Sequence, residues 1–118
     1  MITLNKYLRE LGINEDNFYF KKEDDRYIPN DDTGIPESHT WEMDGALAMI
    51  IYSYLMKYKE IAPPAYPAIY TEEKWRGIID EMIKGFASII KNETSKRARK
   101  RQRKALALFK QNFFNLWW

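Results

Sequence analysis

The stretch from Thr71 to Ile90, TEEKWRGIIDEMIKGFASII, decides the fold of this chain. Its large apolar side chains recur every three or four residues, which is the period of an α-helix with one buried face. Thr71 suits the N-cap, two glutamates fill the first turn, and Tyr70 with Trp75 fits a hydrophobic staple. The residues expected on the buried face are Trp75, Ile78, Ile79, Met82, Phe86, Ile89 and Ile90.

Two glycines interrupt this helix. Gly77 and Gly85 each cost about 1 kcal/mol in a helix interior relative to alanine. Both are spaced to admit the close approach of another helix. We therefore expect tight helix packing at both positions rather than catalysis.

A second helical pattern runs from Ser38 to Lys59, capped by Ser38 or Thr40 and ended by the proline-rich segment 62–67. Its apolar side chains also recur at three- and four-residue spacing. We predict that this helix packs antiparallel to the helix 71–90. The recurring residues are Met43, Leu47, Ile50, Ile51, Tyr54, Leu55 and Tyr58.

A last helix is expected over 95–118, after a break at 92–95, with Thr94 or Ser95 as its cap. Bulky apolar residues form a stripe in its C-terminal half that closes the core, and small or neutral residues continue that line toward its start. The bulky residues are Leu106, Phe109, Phe113 and Leu116, and the others are Ala98, Gln102 and Ala105. Phe114 and Trp118 lie on another line, which is expected at a subunit contact or against a base ring.

The N-terminal third is less regular. Residues 3–12 predict a short helix with Thr3 as its cap, one leucine face and Gly12 after its end. The β-type residues over 18–28 favour a hairpin, and residues 29–36 predict a loop. We therefore expect a mainly α fold, a small single-domain helical bundle over residues 1–118, with room for a short N-terminal β-hairpin.

Composition excludes several kinds of protein. The chain has 118 residues and is 45% hydrophobic, enough for one core and too apolar for a disordered protein. It contains no cysteine and one histidine, so disulfides, thiolate zinc sites and sites with two imidazoles are excluded. The longest uncharged stretch, 45–56, is too short to span a bilayer. No membrane partner is expected.

Charge is divided unevenly along the chain. Residues 1–40 hold five basic and nine acidic side chains, residues 41–93 hold six and eight, and residues 94–118 hold eight and none. The formal net charge of +2 therefore combines an acidic body with a basic C-terminal element over 94–118. This asymmetry predicts an anionic partner, or the acidic surface of a second copy in a homo-oligomer.

Seven cations fall within residues 96–104, where they repel one another on a helix. Phosphate would relieve that repulsion, because arginine forks match its oxygens and binding releases counterions. The alternatives are a solvated face, or pairing with the acidic residues of 23–25 and 31–32. The predicted ligand-binding residues are Lys96, Arg97, Lys100, Arg101, Arg103 and Lys104.

Carboxylates form a second candidate site. Asp44, Asp80 and Glu81 would have to converge to hold magnesium or to act as acid and base in a metal-dependent hydrolase. The alternative is that Asp44 satisfies first-turn amides, with the tryptophans in the core and His39 as a partly buried neighbour of the cap. The sequence has no glycine-rich phosphate loop, paired-histidine motif or nucleophile elbow, so we predict a non-enzymatic protein without a cofactor.

Three segments resemble a family of small bacteriophage and prophage proteins. TWEMDGALA over 40–48 with the isoleucines at 50–51 is similar to its T-W-x-M/L-D-x-x-L-A-x-x-I motif, and 75–86 resembles its W-x-x-I/V-L-D-E-M-I-x-A-F motif. Residues 107–117 resemble its L-F-x-x-Y-F-x-x-L-W tail. This chain departs from the pattern at Ile79, Gly85 and Asn112. The resemblance implies a phage-type origin and a mostly helical fold with short N-terminal strands, and it implies no activity.

Three functions follow from these patterns. The first is binding of a phosphate-bearing ligand, nucleic acid or nucleotide, including sequestration of a host nucleotide signal, with Arg97, Arg101 and Lys104 on one helix face. The second is an adaptor or inhibitor that docks on an acidic host or virion protein. The third is the hydrolase. The expected location is the cytoplasm, that of the host cell for a phage-encoded protein.

Overall fold

The computed structural model describes residues 3–18, 32–35, 38–61 and 66–116. Within these ranges the chain forms five α-helices and no strand. The helices are α1 (Lys6–Glu10), α2 (Ser38–Trp41), α3 (Met43–Ile61), α4 (Glu72–Ile90) and α5 (Lys96–Asn112), and a 3-10 turn follows over Phe113–Asn115. The prediction of a mainly α helical bundle is confirmed. The hairpin predicted over 18–28 lies, apart from Phe18, outside the described residues.

The long helices α4 and α5 begin at side-chain caps that the sequence predicts. Thr71 Oγ1 accepts a hydrogen bond from the Lys74 amide at 3.1 Å. Ser95 Oγ accepts one from the Ala98 amide at 3.1 Å, which selects Ser95 over Thr94 as the cap of α5. Each cap satisfies one amide that a helix start otherwise leaves without a partner.

Two boundaries differ from the prediction. Asn5 caps α1 in place of Thr3, because its side-chain oxygen accepts from the Leu8 amide while its nitrogen donates to Ser53 Oγ, both at 3.1 Å. The second helical pattern is broken at Glu42 into α2 and α3, and α3 continues to Ile61.

Helix α4 lies between α3 and α5. It runs antiparallel to α5, since Tyr70 just before α4 donates to Asn112 at 3.0 Å and Ser88 near its end accepts from Gln102 at 3.0 Å. On the other side, Lys59 forms an ion pair with Asp80 at 2.7 Å. This ion pair puts the C-terminal half of α3 beside the N-terminal half of α4, as antiparallel packing requires.

The core lies where α4 faces α3 and α5, and α1, which packs on α3, adds Tyr7 and Leu8 to it. Of the face predicted for α4, Trp75, Ile79, Met82 and Phe86 are buried, and its other three isoleucines are partly buried against the core. Tyr70 stacks on Trp75 with ring centroids 5.8 Å apart, which confirms the predicted staple. The α4 pattern therefore predicts the packing of this helix correctly.

The predicted close helix approach is confirmed at one glycine and wrong at the other. A Cβ added at Gly85 would lie 2.1 Å from the Cβ of Ala105 and 3.0 Å from the carbonyl oxygen of Arg101, so α4 and α5 touch backbone to backbone there. A Cβ at Gly77 would meet nothing within 4 Å. Gly77 is exposed and lines an open groove, which explains why no helix crosses it.

The apolar pattern of α3 packs on the core in part. Ile50, Ile51 and Tyr58 are partly buried against the core. Met43, Leu47 and Tyr54 are exposed, and of the recurring residues Leu55 alone is buried. The core side of α3 consists mostly of small side chains with a few large ones among them. Small side chains let α3 approach its neighbours closely, whereas Met43, Leu47 and Tyr54 lie on the opposite side. The buried residues are Gly45, Ala46, Ala48, Met49, Tyr52, Ser53 and Leu55.

The stripe predicted for the last helix is correct in its first half and partly wrong in its second. Ala98, Gln102 and Ala105 are buried as predicted, but Leu106 and Phe113 are about half exposed. Asn112 is fully buried in their place, where it accepts from Tyr70 and donates to the Leu108 carbonyl oxygen. Regular helix ends there and the 3-10 turn begins, so the helical spacing no longer places Phe113.

Candidate functional site

The cations of residues 96–104 all lie on the exposed surface of α5. Between residues 96 and 105, α5 buries only the narrow line of Ala98, Gln102 and Ala105, so the rest of this stretch is open to solvent. We call the exposed surface formed by the six predicted ligand-binding residues the basic face; its members are Lys96, Arg97, Lys100, Arg101, Arg103 and Lys104.

Helix geometry arranges the basic face in two adjacent lines. Arg97, Arg101 and Lys104 follow one another at the four- and three-residue spacing of a single line, and the other three residues repeat the same spacing one position earlier. Two lines of three cations therefore run side by side along about 12 Å of the helix axis.

The basic face is almost without internal charge partners in the described part of the chain. There, Lys104 alone among its six residues forms an ion pair, with Glu81 at 3.8 Å. The neighbouring Arg99 donates to Gln102 at 3.0 Å and has no ion pair with a carboxylate of the described ranges. The acidic residues of 23–25 and Asp31, the alternative partners, lie outside the described residues, and Asp32 is exposed.

The position of these cations opposes the helix dipole. Helix α5 begins with Lys96 and Arg97 and has no acidic side chain in its first turn. Cations at the positive end of a helix are unfavourable by a few tenths to about 1 kcal/mol each. The positive charges at the start of α5 therefore destabilise the free protein. A bound anion would offset this unfavourable interaction with the helix dipole.

An open groove of about 520 Å³ lies between α4 and α5. Lys104 is the one residue of the basic face that lines it, and Glu73 and Glu81 add negative charge to its wall. The other five cations lie outside this groove. The basic face is therefore largely an open helix surface rather than a cradle for a small molecule.

The carboxylates of the second candidate site do not converge. Asp80 points to Lys59 of α3, whereas Glu81 points to Lys104 of α5. Asp44 lies about four turns, or 22 Å, along α3 from Lys59. Among the described residues no group of three histidine or acidic side chains could hold a metal ion. His39 is buried in α2, as expected of a neighbour of the helix start.

A polar cluster that the sequence analysis missed joins α1 to the end of α3. The buried Tyr7 donates a hydrogen bond to Glu60, and Lys6 forms an ion pair with the same carboxylate at 3.1 Å. The hydrogen bond, followed by desolvation and the charge of Glu60, raises the pKa of Tyr7 to about 12. The same bond, reinforced by Lys6, lowers the pKa of Glu60. Because the partners are 53 residues apart, no local pattern indicates this contact.

Comparison with known proteins adds no relative: no family model matches the chain, and neither a curated protein nor a solved structure is significantly similar to it. The resemblance to phage and prophage proteins therefore stays a prediction. Among the helices of the described residues, none has the length and apolar character needed to cross a membrane.

Proposed function

We propose that this protein is a non-enzymatic binder of a phosphate-bearing ligand, and that nucleic acid is the ligand that suits the basic face best. The observation that supports the proposal most directly is the state of its cations. Five of the six are exposed and lack a carboxylate partner among the described residues. A phosphate backbone would supply the missing negative charge.

The residue types fit phosphate. Arg97, Arg101 and Arg103 each present a planar fork that can bind two phosphate oxygens at once. The lysines between them act as point charges that strengthen binding without adding geometric demands. Such a surface favours affinity for a charged backbone over recognition of particular bases.

The open shape of the site favours a polymer over a free nucleotide. Small-molecule sites are concave and bury most of their ligand. The basic face is instead a helix surface along which two lines of cations extend. A nucleic-acid strand can follow those lines, whereas a nucleotide would leave most of the cations without a partner. In a phage setting, the host cytoplasm would supply such a polymer.

The proposal is tested by fluorescence anisotropy with labelled duplex and single-stranded DNA and, as competitors, mononucleotides and inorganic phosphate. We expect micromolar or tighter binding of DNA at low salt and little competition by mononucleotides. Arg97→Ala is expected to weaken binding, and Arg97→Ala with Arg101→Ala to weaken it further.

Arg9→Ala is the matched control, because it removes one exposed arginine from α1 rather than from α5. Equal losses in Arg97→Ala and Arg9→Ala would mean that net charge, not the basic face, determines binding. Strong competition by a mononucleotide would favour the nucleotide alternative. Absence of DNA binding at low salt would contradict the proposal.

A further inference from the structure

The side chain of Phe114 lies almost fully in solvent, just after the basic helix α5. It is 88% exposed, more than any other large apolar side chain of the described residues. Single exposed apolar residues are ordinary on protein surfaces, so exposure alone indicates no function. Two further observations distinguish Phe114: its turn is anchored in the protein interior, and a line of cations leads to it.

Buried hydrogen bonds hold the 3-10 turn that carries Phe114. Asn112, fully buried at the start of this turn, accepts hydrogen bonds from Tyr70 at 3.0 Å and from Asn115 at 3.1 Å. The two asparagines lie on either side of Phe113 and Phe114 in the sequence. The turn is therefore tied to the residue that precedes α4.

A row of aromatic rings connects the core to Phe114. The buried Phe86 contacts Phe109, and Phe109 contacts Phe113, each with ring centroids 5.6 Å apart. Phe113 contacts Phe114 at 5.4 Å with an interplanar angle of 85°. Such edge-to-face pairs are favourable beyond the area that they bury. Phe114 is thus supported on one side while most of its ring stays open, as a surface already in position for a flat ligand.

The cations of α5 extend beyond the basic face toward Phe114. The line of Lys100 and Arg103 reaches Lys110 one heptad later, with the small, exposed Ala107 between. Lys110 is exposed and has no ion pair within the described ranges. From the start of α5 to Lys110 the line is about 21 Å long. Phe114 follows four positions later, about one turn farther along the chain, so a phosphate bound at Lys110 brings its base within reach of the ring.

We propose that the polymer bound by the basic face is a single-stranded nucleic acid, one base of which stacks on Phe114. This inference rests on the proposed phosphate binding and adds the state of the strand. Proteins that bind single strands combine cations along the backbone with aromatic side chains on which bases stack. In a duplex the bases are enclosed in the stack and present no free face to such a ring. Because every base has a flat face, stacking on phenylalanine selects single strands without selecting a sequence.

Fluorescence anisotropy with three labelled probes of equal length tests the proposal. The probes are a strand of thymidines, the same strand without its bases, and the duplex that the first forms with deoxyadenosines. The first two carry the same phosphates, so the difference between them measures what the bases contribute. We expect the unchanged chain to bind the strand with bases at least about 5-fold more tightly than the abasic strand, as stacking of one base predicts.

Phe114→Ala is expected to abolish that difference and to leave the affinities for the abasic strand and the duplex unchanged. Phe114→Leu, which keeps an apolar side chain without an aromatic face, should behave in the same way, whereas Phe114→Trp should keep the preference for bases. Tyr54→Ala is the matched control, because Tyr54 is 71% exposed but lies on α3, and it should change no affinity. Circular dichroism checks that all four variants keep their helices.

Arg97→Ala separates this inference from the proposed function. If Phe114→Ala bound the strand with bases as tightly as the unchanged chain while Arg97→Ala still weakened binding, Phe114 would not be a stacking surface, and phosphate binding by the basic face would stand. Equal affinity of the unchanged chain for the strands with and without bases would also overturn the inference alone. If none of the probes bound at low salt, both proposals would be wrong.

Discussion

Gly85 is the residue on which the contact between α4 and α5 depends. Its missing side chain leaves room for Ala105, and any Cβ there would also meet the backbone of α5. Gly77, two turns earlier in the same helix, has no such neighbour. Both glycines lower helix propensity by the same amount relative to alanine. A comparison of substitutions at the two positions therefore isolates the effect of the close contact between α4 and α5 at Gly85.

We predict opposite effects for the two alanine substitutions. Gly85→Ala should lower the free energy of unfolding by about 1–3 kcal/mol, because overpacking at a backbone contact exceeds the gain in helix propensity. Gly77→Ala should raise it by up to about 1 kcal/mol. Urea denaturation of both variants measures the difference. Destabilisation by both, or by neither, would contradict the contact described for Gly85.

Tyr7 and Glu60 give the stability of the protein a defined pH dependence. The folded-state pKa of Tyr7 lies at about 12, above the ordinary value of 10.0, so its contribution is complete below pH 10 and is lost as the pH rises toward 12. The pKa of Glu60 is lowered, so its contribution is present above the ordinary value of 4.5 and is lost as the pH falls through the folded-state value.

Tyr7→Phe should therefore reduce the dependence of stability on pH at both the alkaline and the acid end. Stability measured by denaturation across pH is expected to fall less steeply at both the alkaline and the acid end than in the unchanged chain. Absorbance titration of the tyrosines should at the same time lose its most alkaline component. Tyr66→Phe, which removes an exposed hydroxyl group, is the control. An unchanged alkaline component in Tyr7→Phe would assign it to another tyrosine.

At the scale of the helices, local sequence patterns predict well which helices form and where they are capped. They predict less well which face of a helix packs on the core. Thr71 and Ser95 cap α4 and α5 as expected, because a cap depends on residues within one turn. The large apolar residues of α3 predict its packing face only in part, because some of them pack on the core and others lie on its exposed side. The small residues at 45, 46 and 48 were the available signal for the core side. No local pattern could indicate the buried Asn112, whose partner Tyr70 is 42 residues away.

Helix α5 offers a test in which stability and binding change in opposite directions. Lys96→Glu should raise the free energy of unfolding by about 1 kcal/mol, because it replaces an unfavourable charge at the positive end of the helix and relieves like-charge repulsion. The same change should weaken DNA binding. Thermal denaturation and anisotropy on one preparation measure both quantities.

Lys91→Glu provides the opposite control. Lys91 is the C-cap of α4, where a cation is favourable, so this variant should lose about 0.3–1 kcal/mol of stability. If Lys96→Glu instead destabilised the protein, the cations of α5 would be part of a stabilising internal network, and the proposed ligand site would lose its main support.

At the scale of the whole molecule, the layers from α1 through α3 and α4 to α5 separate two surfaces. The basic face lies on α5 at one side, and the exposed apolar side chains of Met43, Leu47 and Tyr54 lie on α3 beyond the intervening helix α4. The charge division along the sequence predicts the first surface, since no acidic residue follows residue 93. The second could not be predicted, because periodicity reveals an apolar face without revealing which side the rest of the chain covers.

The salt dependence of DNA binding tests the central claim most directly. With three to five cations on phosphates of duplex DNA, the slope of log K against log salt concentration should lie between about −2.7 and about −4.5 for the unchanged chain. It should become shallower by roughly 1 for each arginine removed in Arg97→Ala and Arg101→Ala, and should not change in Arg9→Ala. A slope near zero, or the same slope in all of these proteins, would contradict phosphate binding by the basic face.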